Sequence, residues 1–128
     1  MPPIEGHPPD CFVCARLGIE PRIEGQHVVA ELELRENVMG PPPSTHGGAI
    51  AALFDELLGL AVHTQAAGAV TARLEVDFRR PWTVGEPARM SCEARRLADR
   101  KFVASGELTG ADGALLAEAR GLWIVPRV

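Results

Sequence analysis

The feature that most constrains this chain is one stretch, roughly residues 47 to 66. Within it Ile50, Leu53, Phe54, Leu57, Leu58, Leu60 and Ala61 recur at three- and four-residue steps. That spacing predicts a helix with a broad apolar face. A face this wide has to be embraced by other structure, and the rest of the sequence supplies a partner. Val28, Ala30, Leu32 and Leu34 alternate with Val29, Glu31, Glu33 and Arg35, the period of a half-buried strand. After Gly68 the alternation returns: Val70 to Phe78, Ala88 to Ala94, Phe102 to Leu108, and Leu115 to Trp123. Pro81 and Gly85, the stretch around Asp99, and the hairpin dipeptide Asp112-Gly113 separate these runs. The expected order is one strand, one long helix and four strands in succession as an antiparallel meander. This is an α+β chain in which a sheet of about five strands faces one helix. Residues 1–23 are proline-rich and aperiodic and read as an irregular arm, leaving 24–128 as the domain. Pro41-Pro42-Pro43 lacks backbone donors, so the segment before the helix is a rigid loop. Exposed sheet edges make association with a second copy a reasonable expectation.

Composition narrows the classes of function. The 128 residues suit one domain, and 46% hydrophobic with 23% charged residues suits a buried core. No apolar run approaches the length of a membrane span. The opening MPPIEGHPPD has neither the basic region nor the apolar core of a signal peptide. No membrane partner is therefore expected. A net charge of −4 argues against a nucleic-acid surface but leaves room for a local arginine cluster that binds phosphate. Three cysteines, an odd number, point to a reducing cytoplasm.

Chemistry concentrates at the helix start, where His46-Gly47-Gly48 precedes Asp55. The first N–H groups of a helix lack intrahelical partners and carry the positive end of its dipole. With no Cβ at Gly47 or Gly48 to shield them, they can hold a carbonyl oxygen as it gains charge. Asp55, two turns on, is suited to act as general base or nucleophile. On spacing alone a second reading stands beside this one: the glycines relieve crowding between loop and helix, and Asp55 is a solvated helix residue.

The run His46-Gly47-Gly48-Ala49-Ile50-Ala51-Ala52-Leu53-Phe54-Asp55 resembles the signature of hotdog-fold acyl-CoA thioesterases of the phenylacetate-pathway and thioesterase-superfamily-member types. A second block, Thr71 to Pro81 followed by Gly85-Glu86, resembles the strand after the helix in that family. Cys11-Phe12-Val13-Cys14 with Gly18 is similar to the opening of many members. The resemblance implies a hotdog fold, a homodimer or homotetramer, and hydrolysis of acyl-CoA without metal or organic cofactor. It implies that the Gly48 N–H polarises the thioester carbonyl, while Asp55 from the partner subunit acts as base or nucleophile. By the same resemblance Thr71 helps place the attacking water, and His46 organises the loop beside the substrate. Members often carry a polar Asn or Gln shortly before the His-Gly-Gly. Here Gly40 to Thr45 occupies that stretch, and the role falls to Asn37, to Ser44 or to no residue. A non-catalytic acyl-CoA sensor and a hotdog hydratase or dehydratase are the alternatives, the latter lacking a well-placed histidine.

Among the remaining residues, Arg79 and Arg80 can hold the nucleotide phosphates of CoA or simply be solvated at a strand end. Cys11 and Cys14 have metal-ligand spacing, with His7 close by. The remaining cysteine, Cys92, falls in a strand and offers no fourth ligand, so the expectation is packed thiols and no metal. His63 and His27 read as surface histidines, and Trp123 as core.

Overall fold

The computed structural model describes residues 4–35 and 38–127. A short helix α1 (Cys14–Leu17) and a three-residue strand β1 (Arg22–Glu24) lead into β2 (His27–Leu32). The long helix α2 (Gly47–His63) follows, then β3 (Val70–Phe78), β4 (Ala88–Ala98), β5 (Lys101–Gly110) and β6 (Leu115–Ile124). The arm is therefore not wholly irregular, and the sheet has six strands where about five were expected. Three residues are too few to display a period, and β1 exists because Gly25, at φ 63°, turns the chain back onto β2.

All pairs are antiparallel, in the order β1-β2-β4-β5-β6-β3. β4, β5 and β6 form a meander, but β3 does not join it through β4. It pairs with β6 at the far edge, Thr71 opposite Trp123 and Phe78 opposite Ala117. The cause lies in the connection, residues 79–87, which is too long for a tight hairpin. That connection carries its own anchor. Trp82 is buried, and its indole N–H donates to the Glu86 carbonyl at 2.8 Å. Thr45 N–H donates to the Trp82 carbonyl at 2.7 Å and Val84 N–H to the Pro43 carbonyl at 3.0 Å. The connection thus fixes the proline loop that delivers the chain to α2.

The inner face of the sheet presents Val28, Ala30, Met90, Cys92, Phe102, Leu108, Ala117 and Trp123 to the helix. From α2, Leu53, Phe54, Leu57, Leu58 and Val62 have no exposed surface at all. Each buried side chain of this size is worth about 1.5–3 kcal/mol of transfer free energy, so the helix–sheet contact dominates stability. No helix among the described residues is long and apolar enough to cross a membrane. β3 lies at one end of the sheet, with Val70 and Phe78 each 54% exposed. A long edge strand with apolar ends, regular apart from a register shift between Thr71 and Arg73, leaves backbone groups open to pairing.

Candidate active site

The helix N-terminus is built by its capping residue. His46 has φ −59° and ψ 132°, outside the helical region, and its Nδ1 accepts the Gly48 N–H at 2.8 Å. The His46 carbonyl takes the N–H groups of Ala49 and Ile50, and its own N–H donates to the Val38 carbonyl at 2.7 Å. A side-chain acceptor at this position satisfies one of the donors that a helix start leaves over. A Cβ on Gly48 would lie 3.0 Å from His46 Nδ1, so any larger residue there would push the ring away by a few tenths of an ångström. At Gly47 a Cβ would meet only the ring of Phe78, at an ordinary 3.6 Å. Thr45, just before, is buried with its hydroxyl oxygen unpartnered.

Asp55 lies two turns along α2 and is half-buried. Thr71 Oγ1–H donates to its Oδ1 at 2.7 Å. These two residues come from elements apart in sequence and meet because β3 runs back along the helix, with Phe78 near Gly47 and Thr71 near Asp55. The bond holds the carboxylate in one orientation through Oδ1, and Asp55 lines a cavity of about 520 Å³. Asp55, Glu56, Thr71, Trp123, His63 and residues of the N-terminal arm line that cavity.

Within one chain Gly48 and Asp55 do not converge. Seven helical residues separate them, about 10 Å along the axis. A base and an oxyanion donor that serve one carbonyl must each lie about 3 Å from the reacting atoms. One chain therefore carries both halves of such a site, pointing to two different places.

Arg79 and Arg80 sit just beyond β3, their N–H groups both donating to the Leu116 carbonyl. The Arg79 guanidinium is drawn to Glu118 at 3.5 Å and Asp77 at 3.9 Å. Arg80 is exposed and makes no ion pair with the described carboxylates. Asn37 lies outside the described residues. Ser44 bridges backbone to Thr83 and does not reach Asp55. His63, expected on an open surface, is covered by the arm: its Nε2–H donates to the Glu5 carbonyl at 3.0 Å. His27 faces Glu93 at 3.1 Å.

Sequence reasoning missed Glu56. The arm folds over the helix face that carries it. Glu56 Oε2 accepts from His7 Nε2 at 2.9 Å, from Cys11 Sγ at 3.0 Å and from Cys14 Sγ at 3.3 Å. Burial, then the neighbouring Glu56 carboxylate and its hydrogen bond, push the Cys14 thiol far above its ordinary value. The signal that pointed here was the Cys11-x-x-Cys14 pair with His7, and the missing part was the helix residue they close on.

A family model, that of the thioesterase superfamily, matches residues 43–117, a span that includes His46, Gly47, Gly48, Asp55 and Thr71. The chain belongs to the thioesterase superfamily. The acyl-coenzyme A thioesterase THEM4 of Xenopus laevis is 33% identical over 86 residues, which cover 66% of this chain and 39% of that protein. The chain thus spans about two fifths of that curated relative's length. The PaaI protein from the phenylacetic acid degradation operon of E. coli superposes with a TM-score of 0.83 at 21% identity, over 92% of this chain and 86% of that one. A hypothetical thioesterase of Streptococcus pneumoniae, solved with coenzyme A, gives 0.82 at 18% identity, over 90% and 92%. At those identities the two structures speak for the fold, and this superfamily member has the hotdog arrangement of one helix within a curved antiparallel sheet.

Proposed function

We propose that this thioesterase-superfamily chain hydrolyses acyl-CoA thioesters to a free acid and CoA, working as a homodimer whose sites lie between subunits. The observation that carries the reading is the 2.7 Å bond from Thr71 to Asp55, set in this fold about two turns from a glycine-lined helix start. It is a held carboxylate beside a cavity, and it lacks only an oxyanion donor.

A second copy supplies that donor by symmetry. Two β3 edges paired antiparallel about Leu74 place Val70 and Thr71 of one chain opposite the Phe78 end of the other. Phe78 stands against Gly47, so the partner's helix N-terminus comes toward Asp55. The Gly48 N–H then meets the thioester carbonyl, which displaces His46 Nδ1 from it. His46 orders the loop in the free protein and lies beside the substrate in the complex. Asp55 Oδ2 takes a proton from water as the water oxygen bonds to the carbonyl carbon. The tetrahedral oxyanion collapses, the C–S bond breaks, and the CoA sulfur leaves with the proton. In the alternative route Asp55 attacks directly and water then cleaves the acyl-aspartyl anhydride. Arg80, exposed beyond β3, is available to CoA phosphates, whereas Arg79 has to leave Glu118 to join it. Three unpaired cysteines fit a reducing cytoplasm.

The test is steady-state thiol release from a panel of acyl-CoAs by wild type, Asp55→Asn and Asp55→Ala. Turnover by wild type with loss in both variants supports the reading. Tight acyl-CoA binding by calorimetry without turnover identifies a sensor instead. Single turnover in ¹⁸O-water detects the direct route when water opens the anhydride at the aspartyl carbonyl, since only then does solvent oxygen enter the Asp55 carboxylate.

A further inference from the structure

We propose that His7, Cys11, Cys14 and Glu56 form a tetrahedral zinc site that fastens the N-terminal arm to helix α2. Their ligand atoms, His Nε2, two Sγ and a carboxylate oxygen, all lie within 4.8 Å of one another. Around a zinc ion with bonds of about 2.0–2.3 Å, tetrahedral ligand atoms are about 3.3–3.8 Å apart. The observed separations from Glu56 Oε2 are 2.9, 3.0 and 3.3 Å, so those pairs open by less than an ångström while the widest pair closes by about as much. The ligand set has the character of zinc: two soft sulfurs, an imidazole and a carboxylate, where magnesium or calcium would demand oxygens. Four protein ligands close the coordination sphere, which makes the site structural.

Two features of the chain prepare it. The Cys14 N–H donates to Cys11 Sγ at 3.4 Å, a contact that stabilises a thiolate there, and it arises from the helical turn that Cys-x-x-Cys makes on entering α1. Gly18, at φ 67°, then ends that turn, its N–H bonded to the Cys14 carbonyl. The arm also needs a fastening. Among the described residues, the backbone–backbone bonds of residues 4–19 are all local, and apart from the Glu5 carbonyl held by His63 the arm meets the helix through side chains. Cys11 and Cys14 are buried yet polar, and both turn toward Glu56. Without metal, three protons crowd one carboxylate oxygen. On binding, Zn²⁺ replaces the two thiol protons, which leave to solvent; the His7 ring gives up its Nε2 proton and carries one on Nδ1 instead, so that the ion takes one lone pair from each of the four ligand atoms.

The experiment uses the full chain, reduced, stripped of metal and titrated with Zn²⁺, with Co²⁺ as the spectroscopic probe. One Zn²⁺ per chain is expected. The Co²⁺ form should show tetrahedral d–d bands and sulfur-to-cobalt charge transfer at the intensity of two thiolates. Cys11→Ser and Cys14→Ser should each halve the charge transfer. Each should also weaken zinc by more than the roughly 10–100-fold that loss of an outer partner costs. Glu56→Gln should keep the charge transfer and shift the d–d bands, and His7→Ala likewise. Wild-type titration needs no variant to fold, and near-UV circular dichroism checks those that are made. The proposal is overturned if reduced wild type takes up neither ion, or if the Cys11→Ser, Cys14→Ser double variant binds zinc as wild type does. It is also overturned if Glu56→Gln and His7→Ala both leave the Co²⁺ spectrum unchanged, or if the two cysteines form a disulfide in a glutathione buffer at cytosolic poise. None of these readouts depends on thioester hydrolysis.

Discussion

Asp55 and Glu56 are neighbours on one helix and line one cavity, and the fold has given them different partners. One residue is about 100° of helical turn from the next, so the two carboxylates leave α2 in different directions. Asp55 meets Thr71 on β3, a strand held by hydrogen bonds along the rigid sheet. Among the described residues its second oxygen has no hydrogen-bond partner, and the residue lines the cavity. Glu56 meets the arm, and one of its oxygens is shared among three donors. The first is a held but unsatisfied group, as chemistry on a substrate requires. The second is half-buried and taken up by the arm, as a fastening requires. Carboxylate identity therefore says little; the element that each one faces decides its use.

The largest effect that can break this contrast is Asp55→Asn. Losing a general base should lower kcat by about 10²–10⁴-fold. Zinc stoichiometry and the Co²⁺ spectrum should stay those of wild type, because Asp55 is not among the four ligands. Loss of metal in Asp55→Asn would mean that the two flanks form one unit and that the comparison fails.

Thr71→Val comes next. The hydroxyl donates into a carboxylate, a bond worth about 1.5–3 kcal/mol. Its loss should cost roughly tenfold or more in kcat with little change in KM, since in the proposed mechanism Thr71 positions Asp55 and does not bind the acyl group. Thr71→Ser should restore most of the rate. A Thr71→Val variant that raises KM alone would assign Thr71 to binding.

These residues also mark how far the sequence could be read. The apolar spacing from Ile50 to Ala61 carries the helix, and period-two alternation carries the five longer strands. Alternation does not name a strand's partner, so the pairing of β3 with β6 is invisible until the Trp82 anchor shows where residues 79–87 go. Asp55 and Thr71 were legible together only through a family resemblance, because their bond depends on how β3 crosses the helix. Glu56 was illegible for a like reason. It lies 42 residues from Cys14, and no local pattern links a helix residue to an arm without periodicity.

His46→Ala has a smaller effect, at the other end of the helix. Removing an N-cap acceptor costs about 1 kcal/mol, about 3–5 °C in Tm for a domain of this size. Thermal unfolding followed by circular dichroism reads it. The same variant uncovers the Gly48 N–H, so a rise in Tm would show that the cap is strained and not stabilising.

The smallest effect contrasts the arm's thiols with a thiol that has no polar neighbour to turn to. Cys92 lies on the inner face of β4 with no exposed surface, its Sγ pressed against Gly106. Burial alone pushes this thiol far above its ordinary value of 9.0. Below that value Cys92 is protonated both folded and unfolded, and it contributes nothing to the pH dependence. Above it the unfolded chain ionises while the folded one does not, so stability falls as pH rises. Between pH 8 and pH 9.5 the loss from this one group is about 0.8 kcal/mol. Urea unfolding across that range should show the slope in wild type and a shallower one in Cys92→Ala. That variant starts less stable because of the cavity it leaves, so the slope and not the level is the measurement. An unchanged slope would mean that Cys92 ionises in place, and that water reaches the helix–sheet interface in spite of the packing described above.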